Sequence, residues 1–207
     1  MNIFLERAFS FIRRRPKFSI TAGVILVFIL FIAISAFGKS YPILMVNGTT
    51  ISAARFEKNY ASATIYYNNL LKSTANNATA TAALARLTPL QRETQVLDQL
   101  VAAVLIERGA EEYIGSELDQ LVREKIDQYV SDQSFRENVE RLYGMPFSDF
   151  RVEVLIPQAK RDILAGRLFL HGENANDWLL KTRKSAQVTI LSPKFRWDGE
   201  KIVPNGQ

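Results

Sequence analysis

Few side chains in this 207-residue chain are equipped for chemistry. It has no Cys and a single His, which excludes disulfides, thiolate catalysis and Cys-ligated metal, and leaves a His-based metal site or His-paired nucleophile one residue to draw on. That residue, His171, precedes Gly172 at what reads as a helix C-terminus, where the helix dipole favours a cation. This is a structural position, with catalysis as the alternative. Glu111-Glu112 and Glu117 with Asp119 are the candidate carboxylate pairs or cation ligands, but their spacing fits solvated helix faces. No phosphate-cradling G-x-x-x-x-G-K-S/T, no G-x-S-x-G elbow and no H-E-x-x-H pair occurs. The chain reads as a non-enzyme, with no cofactor and no metal.

Adhesive chemistry is better represented. Phe135, Leu142, Tyr143, Met145, Phe147 and Phe150 gather large apolar groups where two helices meet across Gly144 and Pro146. Met and aromatic side chains adapt to varied partners. The cluster either lines an adaptable apolar cleft or fills the domain's own core.

The elements around it are read from periodicity and caps. Ile43 to Val46, Asn47-Gly48 and Thr49 to Ile51 predict a hairpin with a type I′ turn, because both turn positions need φ > 0. Ser52 then caps a helix over about 53–73, with Phe56, Tyr60, Ala63, Tyr67 and Leu71 as its core stripe. Small residues over 73–86 read as a loop or a frayed helix. Thr88-Pro89 opens the central helix, whose Leu97, Leu100, Val101, Val104 and Leu105 face the core and which ends near Tyr113 and Gly115. Ser116 with Asp119 starts the next helix. Ser134 to Tyr143 forms a short one closed by Gly144. Ser148 caps a long helix in which Pro157 predicts a kink or break near Ile156. Gly172 ends it, and Asn174 or Asn176 caps a last helix carrying Trp178, Leu179 and Leu180. Ala186 to Leu191 alternates as a strand, and Phe195 to Trp197, Asp198-Gly199 and Lys201 to Val203 predict a second hairpin. The simplest closure pairs these β segments into one small antiparallel sheet.

What holds this body in place is read from the other end of the chain. Residues 18–37 carry no charge and hold Phe, Ile, Leu or Val at 13 positions, Phe18, Phe28, Phe31 and Phe37 among them. A helix of about 20 residues spans the ~30 Å hydrocarbon core, and these side chains favour insertion by about 4 to 8 kcal/mol. Arg13, Arg14, Arg15 and Lys17 precede the run. Residues 1–17 hold five basic residues and one acid, so the positive-inside rule keeps that end cytoplasmic. A cleaved secretory signal is the alternative; its h-region is usually ~7–15 residues, and the small-x-small site Ala33-Ile34-Ser35 lies inside the run. No Cys follows, which excludes a lipoprotein anchor. Phe4, Leu5, Ala8, Phe9 and Ile12 form either an interfacial helix or an early start of the span. The centre, Val24 to Ile32, has no small-x-x-x-small pair, which favours a lipid-exposed anchor over a packed helix. The remainder of the chain holds 21 basic and 20 acidic residues, so it lacks a basic footprint for nucleic acid. The expected organisation is a cytoplasmic basic tail (1–17), a transmembrane anchor (18–37) and an extracytoplasmic domain (38–207).

The order of parts resembles the chaperone region of the SurA, PpiD and PrsA group. ILMVNGTTISAARFEKNY is similar to its opening strand, turn and first helix, and QVLDQLVAAVLIERGAEEY to its central helix. ELDQLVREKI with LYGMPFSDFRVEVLIPQAKRDIL is similar to its helix pair, and ANDWLLKTRKSAQVTIL to its closing helix and strand. Members commonly carry a parvulin prolyl-isomerase domain before the closing helix. Here only His171 to Glu173 fill that gap, and such a domain needs ~100 residues. The connector Ile114-Gly115-Ser116 is shorter than the group's pattern, and the hairpin over 194–203 has no counterpart in it.

The resemblance implies a mostly α fold, a SurA-N-like helical domain whose N- and C-terminal hairpins form a small antiparallel sheet. It implies an apolar crevice for unfolded chains, which would assign Phe135, Leu142, Tyr143, Met145, Phe147 and Phe150 to peptide binding. The expected function is a single-pass inner-membrane, periplasm-facing chaperone for unfolded or newly translocated polypeptides, without isomerase activity. The alternative is an accessory subunit of a membrane protein complex that uses the same fold as an interaction module.

Overall fold

Asn47 and Gly48 both take positive φ, 49° and 85°, as a type I′ turn demands. They join β1 (Pro42–Val46) to β2 (Thr49–Ser52), which pair antiparallel with Leu44 opposite Ile51 and Val46 opposite Thr49. These are the first elements of the computed structural model, which describes residues 41–74, 87–130 and 133–206. The basic tail, the apolar run 18–37 and residues 75–86 of the predicted loop lie outside the described residues. Among those described, no helix is long and apolar enough to cross a membrane.

Ser52 accepts the Arg55 N–H at 3.2 Å and so caps α1 (Ala53–Ser73). Thr88 and Gln91 form a reciprocal capping box with Pro89 at the first turn of α2 (Pro89–Ile114), and Gly115 ends it with φ 68°. A 3-10 turn (Gly115–Glu117) leads into α3 (Leu118–Tyr129). The expected Ser116 cap is absent there, because the backbone is already helical at the cap position and leaves no extended residue to fold its side chain back. Then come α4 (Gln133–Tyr143), α5 (Phe147–Phe150), a π turn (Arg151–Leu155) and α6 (Ile156–Leu170).

Two expectations about this stretch are corrected. Pro146, extended at φ −55° and ψ 145°, precedes the helix, and Ser148 makes no cap. Pro157 does not break the helix, and the disturbance expected near Ile156 takes the form of the π turn just before it. The Ile156 N–H reaches back five residues to the Arg151 carbonyl, and the dihedrals stay helical at Phe150, Leu155 and Ile156. The wider turn absorbs the mismatch that a proline one residue later would otherwise create. At the far end, the Gly172 and Glu173 N–H groups bond to the Phe169 and Leu168 carbonyls, a Schellman closure. Asn174 accepts the Asn176 and Asp177 N–H groups and caps α7 (Ala175–Ser185).

β3 (Val188–Ile190) returns to pair with β1, Leu44 opposite Ile190, so β1 is central in the order β2-β1-β3. The C-terminal hairpin, β4 (Phe195–Trp197) and β5 (Ile202–Pro204), forms a separate two-stranded ribbon, not part of one shared sheet. Both edges of β1 are already occupied. Past Ile190 the chain turns at Ser192-Pro193, where proline offers no N–H for a ladder, and the ribbon lays Phe195 and Ile202 on α2 instead.

Residues Pro42 to Gln207 form one compact unit with α2 as its spine. Its first half (Val96, Leu97, Leu100, Val101, Val104, Leu105) packs with the sheet and ribbon around Leu44, Val46 and Ile51. Its second half (Ala102, Ile106, Ala110) packs with α3, α4, α5 and α6. Arg183 of α7 grips Asp98 of α2 with two bonds of 2.8 and 2.9 Å, and the Ile202 N–H donates to the same carboxylate at 3.3 Å. One residue on α2 thus ties the last helix and the last strand.

Gly109 marks where α7 comes closest. A Cβ there would lie 2.4 Å from the Trp178 ring and 3.1 Å from Leu164. The helix-propensity gain of Gly109→Ala is ~1 kcal/mol, whereas overpacking costs about 1–3 kcal/mol, so the net change is destabilising. Gly166 on α6 is exposed with open space at its Cβ, so Gly166→Ala stabilises by about 0.5–1 kcal/mol. Urea unfolding followed by Trp fluorescence reads both, and equal shifts of one sign would refute the packing account. Asp98→Ala strands a mostly buried guanidinium and should cost about 2–3 kcal/mol in the same assay, with Asp98→Asn costing less.

Candidate functional site

A helix end leaves its last carbonyls without intrahelical donors, and α1 supplies donors for α4. Ser62, the one buried polar residue of the described core, donates its hydroxyl to the Tyr143 carbonyl at 2.9 Å. Asn69 donates its amide to the Arg141 and Leu142 carbonyls at 3.2 and 3.0 Å. Gly144, φ 63°, bonds back to Glu140, and Ile65 packs over it.

This docking decides where the six apolar candidates go. Met145 and Phe150 are buried in the helical core, and Phe135, Tyr143 and Phe147 pack against it. Phe135 and Phe147 meet edge to face at 6.3 Å. Tyr143 lies between Tyr66, stacked at 4.7 Å, and Phe150 at 4.8 Å. Burial, and then the neighbouring Tyr66, raise its hydroxyl pKa above the usual tyrosine value. Leu142 stands apart at 40% exposure. The structure therefore gathers five of the six into packing, and of these Tyr143 and Met145 also border open space.

That space is a cleft of about 380 Å³ between α1 and the first half of α2, closed below by Tyr143, Met145 and Val154. Tyr66 and Tyr67 supply one wall; Arg92, Gln95 and Gln99 supply the other. A second hollow of about 290 Å³ shares Asn59, Val96, Gln99 and Val154 with it, so the two form one trough running on towards Pro157 and Arg161. Glu153, from the π turn, is pinned there by Arg55 at 3.0 Å and Asn59 at 3.1 Å. The turn thus aims a carboxylate at α1 and props the trough's edge.

Sequence reading missed this wall. Tyr67 was legible only as core, and Tyr66 not at all. The available signal was Gln95 and Gln99, four residues apart on one face of α2, with Arg92 one turn before.

The carboxylates Glu111, Glu112, Glu117 and Asp119 are exposed, and among the described residues no three His, Cys, Asp or Glu side chains gather as a metal site. His171 is the exposed C-cap of α6, its ring edge-on to Tyr113 at 6.2 Å. The Tyr113 hydroxyl is raised by burial and by Glu173. Nothing nucleophilic is held beside it.

A family model described as SurA-like N-terminal domain matches residues 9–142, well over half of the chain, and the chain belongs to that family. The match runs from before the apolar stretch to the end of α4 and leaves α5 to β5 beyond it. No curated protein and no solved structure matches the chain. A domain of this family is a non-catalytic, chaperone-type module, which gives the chain a chaperone-like or protein-interaction role.

Ser62→Ala removes the donor of a buried carbonyl and should destabilise by about 1–2 kcal/mol. It should also loosen the Tyr66–Tyr143 stack, read as altered near-ultraviolet circular dichroism. An unchanged unfolding midpoint would refute the role given to this bond.

Proposed function

We propose that this SurA-like protein is a membrane-anchored, extracytoplasmic holdase that keeps unfolded or newly translocated polypeptides from aggregating and has no prolyl-isomerase activity. The observation that carries this reading is the open trough between α1 and α2, lined by tyrosines and amides within a chaperone-type domain. Burying roughly 300 Å² of apolar ligand surface there supplies about 7 kcal/mol gross. After ordering costs, micromolar or weaker affinity remains, which suits fast exchange of clients. Between α6 and α7 the chain has only His171 to Asn174, which leaves no room there for an isomerase domain.

The apolar run 18–37, with Phe18, Phe28, Phe31 and Phe37, supports a single span in the bacterial inner membrane. Arg13, Arg14, Arg15 and Lys17 support a cytoplasmic N-terminus and a periplasmic domain. The family match begins at residue 9 and so takes in this run. A tether raises the holdase's effective concentration where translocated chains emerge. Phe135, Leu142, Tyr143, Met145, Phe147 and Phe150 contribute to binding chiefly through Tyr143 and Met145, which border the trough.

A second reading, an accessory subunit of a membrane complex, draws on Phe169 and Leu170. These neighbours at the end of α6 are 79% and 77% exposed, a surface suited to a fixed partner.

A chain lacking residues 1–38 should suppress aggregation of several unfolded substrates at stoichiometric excess, and Tyr66→Ala with Tyr143→Ala should weaken it several-fold. Failure with every substrate would count against the holdase. Mild-detergent isolation of the full chain with one partner at fixed stoichiometry would favour the subunit. Protease added to intact spheroplasts should cleave the C-terminal portion, and protection would invert the topology.

A further inference from the structure

Two facing residues of the trough, Arg92 and Tyr67, each leave a polar group unpaired. The Arg92 guanidinium lies 5.0 Å over the Tyr67 ring and spends one nitrogen, Nη1, on the Leu87 carbonyl at 3.0 Å. Its Nε is buried with no hydrogen-bond partner, and no acid pairs with it among the described residues. Tyr67 is itself buried, at 9% exposure, and its hydroxyl also has no partner. Unpaired buried polar groups are uncommon and call for an explanation. The Nε is closed to solvent, so the donor that Arg92 can turn to a carboxylate in the trough is its remaining nitrogen, Nη2.

Charge in the trough agrees. Glu153 is its one lining carboxylate, and Arg55 already neutralises it. Arg92 and Arg161 remain without ionic partners among the described residues. In the same hollow as Arg92 lie Tyr66, Tyr143 and Met145, which offer apolar surface but no charge. The two hollows meet at Asn59, Val96, Gln99 and Val154, so an extended segment seated at Arg92 can run on into the second.

We infer that the trough selects extended polypeptide segments in which an Asp or Glu side chain sits beside an aromatic or large aliphatic residue, with the carboxylate on Arg92 and its neighbour on Tyr66 and Tyr143. This rests on the holdase reading and narrows it from apolar chains in general to acidic-apolar ones.

The test uses the full chain in detergent micelles and fluorescent ten-residue peptides, amidated at the C-terminus, with a central Phe-Glu, Phe-Gln or Phe-Lys pair. Fluorescence anisotropy should show the Glu peptide binding about tenfold more tightly than the Gln peptide, with the Lys peptide weakest. Arg92→Gln should erase the Glu preference, weakening the Glu peptide far more than the Gln peptide. Tyr66→Ala should weaken the Glu and Gln peptides alike. Circular dichroism of each variant checks that it remains folded, and Arg92→Lys, which keeps the charge, should retain part of the preference. Equal binding of the Glu and Gln peptides overturns this inference and leaves the holdase standing, as does a preference that survives Arg92→Gln. Recovery of the preference only with a free C-terminal carboxylate overturns it in favour of chain-end capture. Absence of binding by all three peptides overturns both readings.

Discussion

Everything in the described domain hangs on α2 being buried from two sides at once. Surface helices have one apolar stripe. Here Val101, Val104 and Leu105 face the β elements, while Ala102, Ile106 and Ala110 face the other helices, all at 5% exposure or less. A helix buried that way is stable only when both coats are present, and the chain supplies them from its two ends. β1 and β2 cover the first half from one end of the domain, β3 and the terminal ribbon from the other, while α3 to α6 wrap the second half. The Asp98–Arg183 clamp sits between these coats and gives α7 and β5 a common anchor. Cooperative loss of the whole unit is the expected consequence of breaking either coat, since both pack on the same helix.

The trough follows from how α1 is seated. Besides the Tyr66–Tyr143 stack and Ile65 over Gly144, its contacts with the helical half are polar and directional: Ser62 and Asn69 on the carbonyls of α4, Arg55 and Asn59 on Glu153. Hydrogen bonds fix α1 at a distance set by donor and acceptor, whereas apolar packing would have drawn it in until the space closed. The π turn takes part in this. By adding a residue to one turn it places Glu153 within reach of α1 while Val154 and Leu155 still face inward.

What the sequence disclosed, and what it withheld, divides along the range of the interactions. Local geometry was legible: Asn47-Gly48 at the hairpin, Ser52, Thr88 with Pro89, and Gly172 each declare a turn or cap through their own backbone preferences. The stripe from Leu97 to Leu105 declared the core helix. Pro157 declared a disturbance but not its form, because whether a proline kinks a helix or is preceded by a wider turn depends on partners such as Arg55 and Asn59, about a hundred residues away in sequence. The division of the β segments into two sheets was likewise invisible, since it turns on which edges of β1 are already taken. Gly109 looked like a weak point in a helix until Trp178 was seen against it. The wall of the trough was hidden for the same reason. Arg92, Gln95 and Gln99 are ordinary surface residues by type, and only the position of α1 turns that surface inward.

The unpaired groups in that wall bear on what the domain has been shaped to do. Leaving a buried donor without an acceptor costs on the order of 1–3 kcal/mol, and total stability is only about 5–15 kcal/mol. Tyr67 and Arg92 together therefore carry a substantial fraction of it. A Phe at position 67 and a Leu or Met at 92 would fill the same volume without that penalty, and would stabilise the fold at the expense of anything the trough binds. Thr64 adds a third unpaired group one turn before Tyr67 on α1. Ser62, two residues before Thr64, has its hydroxyl fully engaged by α4. Of the two unpaired groups on α1, only Tyr67 lines the trough and lies against Arg92. Polar groups there weigh against the fold's own stability and suit the acidic-apolar binding proposed for the trough.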